Sequence, residues 1–370
     1  MRIVITGGGT GGHLFPALAV HDALRARRPE ASALFVGVAG GVEATILTRR
    51  GHAFRGLRVA QVSGTGLRGR LLAALWLPGT VHQAMRILRE FRPQVVFGVG
   101  GYASVPTMLA ATLRRVPRVI HEQNAIPGLA NRALGGLASA VAVSFADTAR
   151  FFPARRTQAT GNPVRAEIRA GDAQAARAKL GLAGDRFTVL VFGGSQGAHR
   201  LNLAVLAALP ELARDGGQLQ FVHATGAHDL AEVRQGYEAS GVQARVEPFI
   251  EDMALAYQAA DFVVCRAGAG TVFELAAVGK PALLVPYPYA ANDHQRLNAE
   301  AAVRAGAAWI LLDRYCDGRR IVASLRAARE KPDQLTEMGR RARALARPDA
   351  ADRIVDILER VAAGAETPAG

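Results

Sequence analysis

The chain has 370 residues, half of them apolar, and a formal net charge of +14 at pH 7. This length suits two hydrophobic cores better than one, and the apolar fraction can fill both. Two cysteines cannot build a disulfide framework, no Cys/His cluster has zinc spacing, and no apolar run approaches the roughly 20 residues that span a bilayer. We therefore expect a cytoplasmic protein without a signal segment, soluble or peripheral to a membrane, and without a structural metal.

The positive charge is almost entirely arginine, because Lys179, Lys280 and Lys331 are the only lysines. Such a charge favours anionic ligands or an anionic membrane face, and a coding bias toward arginine is the alternative. The arginines are scattered through helix-like segments and do not alternate with aromatic residues. Nucleic acid is therefore not an expected partner.

The first half of the chain alternates short β-rich runs with helix-like segments, which predicts a parallel sheet covered by helices. The predicted strands are Arg2 to Thr6, Ala33 to Val38, Val95 to Val99, Arg118 to His121 and Ala140 to Val143. Between the second and third, the segment from Leu67 to Leu77 combines leucines and Trp76 with arginines. That composition is typical of an interfacial membrane segment, and a helix buried in the core is the alternative.

After the turn Gly161-Asn162-Pro163 the same alternation starts again. Its predicted strands are Phe187 to Phe192, Gln220 to Ala224, Ala244 to Pro248, Phe262 to Cys265 and Ala282 to Pro286. The pattern predicts an α/β protein with two doubly wound, Rossmann-like domains, 1–163 and 164–348, and an active site in the cleft that they face. A last helix over 349–363, capped by Asp349 and packing back toward the first domain, and a flexible tail over 364–370 complete the prediction.

Two glycine-rich turns of similar sequence follow the first strand of each domain, at Gly8 to Gly12 and at Gly193 to Gly197. Each is predicted to open a helix. Glycines there let backbone N–H groups approach an anion at the positive end of the helix dipole, so each turn is a candidate phosphate site. Purely structural turns are the alternative.

Two other phosphate-binding patterns compete with this interpretation. Gly7, Gly9 and Gly12 fit the dinucleotide pattern G-x-G-x-x-G, but no Asp or Glu stands at the end of the second strand to hold a ribose. Neither turn ends in Gly-Lys-Ser/Thr, which excludes a P-loop.

A third glycine-containing motif in the second domain runs from Arg266 to Leu275. If Gly270 and Thr271 lie at a helix N-terminus, Glu274 lies one turn in and can accept both hydroxyls of a ribose, whereas a helix-capping glutamate is the alternative. Gln295 and Asn298 lie three residues apart on one predicted helix face. Their amides suit sugar hydroxyls, and an ordinary exposed face is the alternative.

Five linked motifs follow one another along essentially the whole chain: Gly8-Gly9-Thr10-Gly11-Gly12-His13, His121-Glu122-Gln123-Asn124, Gly161-Asn162-Pro163-Val164-Arg165, Gly193-Gly194-Ser195-Gln196-Gly197, and Asp293-His294-Gln295 with Asn298-Ala299. Together they resemble the MurG family of peptidoglycan glycosyltransferases. The resemblance implies the two-domain GT-B fold. It also implies inverting transfer of N-acetylglucosamine from its UDP donor to the C4 hydroxyl of the muramoyl unit of lipid I, which gives lipid II.

The resemblance also assigns residues to the two substrates. For UDP-N-acetylglucosamine it implies Thr10, Gly11, Gly12, Asn124, Arg165, Ser195, Ile250, Ala269, Gly270, Thr271, Val272, Phe273, Glu274, Gln295 and Asn298. For the acceptor it implies Thr10, His13, Tyr102, Glu122 and Asn124. The chain departs from the family at Val105, which replaces a glycine, at His199, which replaces an arginine, and at Gly270 and Phe273.

Inverting transfer needs a base for the acceptor proton and a stabilised leaving group. The chain contains no Asp-x-Asp motif, so we expect UDP to be stabilised by N–H groups at Ser195 to Gly197 and around Thr271, with no metal and no cofactor. His13 is the first candidate base, because the positive helix end favours a neutral ring, and Glu122 is the second. Contact with phosphate, or simple packing, is the alternative for His13.

The expected partners are therefore UDP-N-acetylglucosamine, lipid I, the anionic inner face of the cytoplasmic membrane, and other cell-wall synthesis and division proteins. The expected location is peripheral, on the cytoplasmic face of the membrane. Two rivals remain. One is a UDP-N-acetylglucosamine 2-epimerase or another GT-B transferase, which would share the donor half, and the other is a nucleotide-sugar-binding regulatory protein without turnover.

Overall fold

The structure is a computed structural model that describes residues 1–8, 11–59, 66–168, 170–194 and 196–364. For Gly11, Val42 and residues 66–74 only the backbone is described. The chain divides into two compact units, Met1–Arg165 with Arg347–Gly370, and Ala166–Ala346. Gly9, Thr10, Ser195 and tail residues 365–370, all named in the sequence predictions, lie outside the described residues.

The first unit contains a seven-stranded sheet whose described strand pairs are all parallel. Its elements up to residue 165 are β1 Arg2–Thr6, α1 Gly11–Arg27, β2 Ser32–Val38, α2 Val42–Arg49, β3 Phe54–Leu57, α3 Gly66–Phe91, β4 Val95–Gly98, α4 Ser104–Leu113, β5 Arg118–Glu122, α5 Leu129–Leu134, β6 Ala140–Val143 and β7 Thr157–Ala159. The strand order is β3-β2-β1-β4-β5-β6-β7. The winding direction therefore reverses between β1 and β4, which pair with Thr6 opposite Gly98.

The second unit repeats this plan with six parallel strands. Its elements are α6 Ala173–Leu180, β8 Phe187–Phe192, α7 His199–Leu212, β9 Leu219–Ala224, α8 Leu230–Ser240, β10 Ala244–Glu247, α9 Met253–Ala259, β11 Phe262–Cys265, α10 Ala269–Val278, β12 Ala282–Leu284, α11 His294–Arg304, β13 Trp309–Ile310, α12 Gly318–Glu330 and α13 Pro332–Leu345. The order is β10-β9-β8-β11-β12-β13, so the reversal lies between β8 and β11. In both units the reversal adjoins the strand that leads into a glycine turn.

The central strands are continuous apolar runs because helices cover both faces of each sheet. Val189, Leu190 and Val191 of β8 have no solvent exposure. Asp172 and Asp317 fix the starts of α6 and α12, since their carboxylates accept backbone N–H groups in the first turn of each helix.

The last helix, α14 (Ala350–Ala362), belongs to the first unit and packs on α1. Ile354 and Leu358 are fully buried in the cluster that also holds Ile3 of β1. The predicted cap at Asp349 is wrong, because the Asp349 side chain makes no capping hydrogen bond. Its carboxylate accepts instead from Arg353 Nε at 2.6 Å, one turn into the helix.

The predicted fold class is confirmed, and the described strands include all ten that the sequence predicted. Three strands were missed, β3, β7 and β13. Each lies at the edge of its sheet and has two to four residues. Edge strands this short lack the continuous apolar run that burial on both faces imposes, so the sequence carries little signal for them.

Candidate functional site

The loops after β1 and β4 meet at the reversal point of the first sheet, where ligands bind in doubly wound folds. Gly101 has a left-handed φ of 78°, and a side chain there would collide with the carbonyl oxygen of Gly8. The same position lies 3.3 Å from Cδ2 of His13, the third residue of α1. Glycine at residue 101 therefore lets the second loop lie directly on the first turn, beside the imidazole.

Glu43, near the start of α2, was missed by the sequence analysis, yet its carboxylate lies against this turn. A side chain at Gly8 would overlap the Glu43 carboxyl group, and Glu43 is almost fully buried. Glu43 follows the end of β2 at Val38 by five residues, so it does not match the dinucleotide pattern, which places an acid directly at the strand end. Partial burial and the Glu43 charge raise the pKa of Tyr102, so this hydroxyl stays protonated at neutral pH.

Glu122, the second candidate base, is held by the loop that follows it. Its Oε1 accepts from the backbone N (2.9 Å) and Nδ2 (3.2 Å) of Asn124, and its Oε2 accepts from Gly128 N (3.1 Å) and Asn131 Nδ2 (3.0 Å). The residue is 1% exposed. Because the buried carboxylate accepts four N–H groups, Glu122 anchors the loop 124–131, which carries the predicted ligand residue Asn124.

The neighbours of Glu122 in its motif are also buried and join strand ends. His121 Nε2 lies 3.1 Å from Ser144 Oγ, and Gln123 Nε2 donates to the Val99 carbonyl at 2.8 Å. Complete burial lowers the pKa of His121 to about 3, so its ring is neutral at physiological pH. The motif thus ties the carboxyl end of β5 to the segments that follow β4 and β6.

Arg165 ends the Gly161-Asn162-Pro163-Val164-Arg165 motif at the boundary of the first unit. Its guanidinium lies over the ring of Phe15, 4.5 Å from the ring centroid. Phe15 belongs to the first turns of α1, so this predicted ligand of UDP is placed by a cation–π contact beside the helix that carries His13.

In the second unit the glycine turn after β8 packs against the loop after β9. Gly197 has a φ of 76°, and a side chain there would strike the Thr225 carbonyl. Ile250, one of the residues predicted to bind UDP-N-acetylglucosamine, is buried just past β10. The loops after β8, β9 and β10 therefore lie side by side at the carboxyl edge of this sheet.

The predicted donor motif Ala269 to Glu274 forms the first turns of α10, directly after β11. Gly268 is the N-cap residue, and no described side chain caps the helix, so backbone N–H groups form its positive end. Glu274 lies six residues past Gly268, too far in to cap it, and its Oε2 accepts from the buried Tyr257 hydroxyl at 3.0 Å. The capping-glutamate alternative is therefore wrong.

Gln295 and Asn298 share a face of α11 as predicted, and both hold the peptide of Ala267. Gln295 Oε1 accepts from the backbone N of Ala267 (3.1 Å) and of Tyr287 (3.0 Å), while Asn298 Nδ2 donates to the Ala267 carbonyl (3.2 Å). Asn298 has no exposed surface, so the exposed-face alternative is wrong for it. The two amides fix the loop that enters α10, and the Gln295 Nε2 atom has no partner among the described residues.

A buried ion pair that the sequence did not reveal supports the same loop. Arg266 Nη1 donates to Asp313 Oδ1 at 2.6 Å, and both side chains are about one-tenth exposed. Arg266 also donates to the carbonyls of Val285 and Pro286 after β12. Nothing in the sequence links Arg266 to an aspartate 47 positions away.

The departures from the family pattern occupy ordinary positions in the fold. Val105 lies in the first turn of α4 and packs on the apolar cluster of the first unit. Gly270 has open space where a side chain would project, and Phe273 is buried.

His199 begins α7 and, with His228, contacts the carboxylate of Asp229. This trio is a potential metal-binding group in the described part of the chain, and its residues are too far apart in sequence to be recognised there.

The predicted interfacial segment forms the start of α3, where side chains are described from Leu75 onward. Leu75 and Trp76 are 76% and 58% exposed. These two large apolar side chains do not lie in the core, so the buried-helix alternative fails for them. No helix among the described residues combines the length and hydropathy that crossing a bilayer requires.

Comparison with known proteins gives consistent matches to both halves of the chain. Residues 3–143 match the N-terminal domain of glycosyltransferase family 28, and residues 188–354 match its C-terminal domain. A protein of a Geobacter species, named UDP-N-acetylglucosamine–N-acetylmuramyl-(pentapeptide) pyrophosphoryl-undecaprenol N-acetylglucosamine transferase, is 48% identical over 96% of this chain and 95% of its own.

Solved structures agree with these matches. The crystal structure of Acinetobacter baumannii MurG has a TM-score of 0.76 and 30% identity, and covers 97% of this chain and 99% of its own. The Neisseria meningitidis UDP-GlcNAc 2-epimerase bound to UDP-GlcNAc has a TM-score of 0.69 at 14% identity, covering 97% of this chain and 100% of its own, which demonstrates a shared fold alone.

The geometry of Glu122 predicts how a neutral isostere behaves. In Glu122→Gln an amide N–H₂ must face at least one of the four N–H donors, so we expect a loss of about 2–3 kcal/mol and a thermal midpoint lower by roughly 5–10 °C. The exposed Glu90→Gln on α3 is the matched control and should leave the midpoint unchanged. Full stability combined with a large loss of turnover would contradict the anchoring role and favour Glu122 as a base.

Proposed function

Because the chain belongs to glycosyltransferase family 28, we propose that it moves N-acetylglucosamine from UDP-N-acetylglucosamine to the C4 hydroxyl of the muramoyl unit of lipid I. The product is lipid II, and the reaction inverts the anomeric centre. The observation that carries this function is the identity to the named transferase over nearly the full length of both chains. The resemblance to the MurG family is thereby confirmed.

We assign the UDP-sugar to the second unit and the acceptor to the first. The bare N-terminus of α10 supplies N–H donors suited to the donor diphosphate. Tyr257 orients the carboxylate of Glu274 for the ribose hydroxyls, and Gln295 Nε2 suits a sugar hydroxyl. In the first unit, Glu43 makes the glycine turn a poor anion site, so we place the reacting sugar hydroxyl there rather than a diphosphate.

In the reaction, a base takes the proton of the acceptor hydroxyl while the oxygen of that hydroxyl forms a bond to C1 of N-acetylglucosamine. The bond from C1 to the β-phosphate oxygen breaks, and UDP leaves with that electron pair. Fixed N–H dipoles at α10 and at the turn after β8 can offset the charge that develops on UDP. The loop entering α10 is already fixed by Gln295, Asn298 and the Arg266–Asp313 pair, so these donors need little reorganisation.

The proposed function is tested by incubating the full-length protein with labelled UDP-N-acetylglucosamine and a soluble lipid I analogue. We expect label in a disaccharide product, one UDP released per transfer, and rates within about twofold with or without EDTA. Epimerised sugar formed without acceptor would favour the epimerase rival, and binding without turnover the regulatory rival. Loss of transfer in EDTA, restored only by a divalent ion, would contradict leaving-group stabilisation by dipoles.

We propose His13 as the base, because it lies at the start of α1, beside Gly101, in the first unit. In His13→Gln we expect kcat at saturating substrates to fall by about 10²- to 10⁴-fold with an unchanged thermal midpoint. His82→Gln, an exposed histidine on α3, is the matched control and should keep full turnover. If His13→Gln retains most of kcat, the residue contacts substrate or packs, and the base lies elsewhere.

We further propose that the protein binds peripherally to the anionic cytoplasmic face of the membrane through the start of α3. Leu75 and Trp76 offer exposed apolar area, and the arginine-rich sequence around them adds attraction to anionic lipid. This attachment would bring the acceptor-binding unit to its lipid-linked substrate.

Vesicle flotation tests the membrane contact. Leu75→Glu combined with Trp76→Glu should weaken binding to phosphatidylglycerol vesicles by at least about tenfold, because two apolar side chains no longer enter the interface. Leu113→Glu with Tyr315→Glu adds the same charge at other exposed apolar positions and should float like the wild type. Equal flotation of all three proteins would remove α3 from the interface.

A further inference from the structure

Two histidines and an aspartate converge where α7 and α8 begin in the second unit. Nδ1 of His199 lies 2.9 Å and Nδ1 of His228 lies 2.7 Å from Oδ1 of Asp229. The three potential ligand atoms all lie within 4.8 Å of one another. The reaction proposed above uses none of these side chains.

We propose that His199, His228 and Asp229 form a binding site for a divalent transition-metal ion of the zinc class. Two imidazole nitrogens and one carboxylate oxygen are the donor set that zinc accepts at about 2.0–2.2 Å, with water in the fourth position. Magnesium prefers an all-oxygen shell and is not expected to bind. The His199 and His228 side chains are 60% and 91% exposed, so the ion has a direct path in from solvent.

The aspartate is held in place from behind by a buried polar chain. Its Oδ2 accepts from Asn202 Nδ2 at 2.7 Å, and Asn202 is fixed in turn by Thr225 O and by Nε2 of His223. Asp229 itself is only 4% exposed. Such outer-shell hydrogen bonds orient the carboxylate of a metal site, here with Oδ1 turned toward both imidazoles.

The position of the site gives the ion a mechanical consequence. His199 follows the glycine turn after β8, whereas His228 and Asp229 follow Gly226, whose backbone packs on Gln196 and Gly197. A bound ion would therefore join the β8–α7 and β9–α8 loops by coordination bonds. This role is separate from the transfer reaction, which we expect to run without a metal.

Titration of the untagged full-length protein with ZnCl₂ tests the site. We expect one zinc ion per chain, no binding of MgCl₂, and a thermal midpoint several degrees higher in saturating zinc. His199→Asn and His228→Asn should each weaken zinc binding by at least about tenfold. Both side chains are exposed, so neither change should disturb folding in the absence of zinc.

His82→Asn on α3 is the matched control and should bind zinc like the wild type. The proposal is overturned if zinc up to about 100 μM produces neither heat nor a midpoint shift, or if it binds equally well to both variants. Either result leaves the transfer assay in EDTA unaffected, so failure of the metal site and failure of the proposed function are distinguishable.

Discussion

The architecture of both units depends on one parallel pair of strands at which the winding direction of the sheet reverses. The pair is β1 with β4 in the first unit and β8 with β11 in the second. Thr6 pairs with Gly98 in the first sheet and Phe192 with Cys265 in the second, so in each unit two loops that are distant in sequence leave the same edge side by side. Loops that diverge from such a pair leave a crevice lined by backbone and by helix N-termini. Among the described residues, those predicted to bind substrate in the first turns of α1 and α10 and in the loop after β4 lie at this edge.

The two crevices share a backbone plan and differ in what fills it. In the first, the Glu43 carboxyl group lies against Gly8, and the His13 ring lies beside Gly101. In the second, the N-terminus of α10 has no side-chain cap among the described residues, and two amides and the Arg266–Asp313 pair hold the adjoining loop. The two crevices therefore present different chemical groups at the same place in the fold.

Much of this arrangement could be predicted from the sequence, because buried parallel strands are apolar runs and glycine turns carry a fixed pattern. The sequence could not tell whether polar motif residues face a ligand or hold the backbone. Glu122 and Asn298 both turn out to be buried among backbone and amide partners. Partnerships between distant residues, such as Arg266 with Asp313 or His199 with Asp229, depend on the folded topology and leave no local signal.

The return of α14 to the first unit also has a consequence for biosynthesis. Residues 166–346 form a contiguous segment, whereas the core of the first unit includes Ile354 and Leu358 from α14, a helix that is synthesised after the second unit. Arg27 and Arg28, at the end of α1, form ion pairs with Asp352 and Glu359 of the same helix, so these pairs can form only after α14 has been synthesised. On the ribosome the second unit can thus complete its fold first, and the first unit closes only when the final helix emerges.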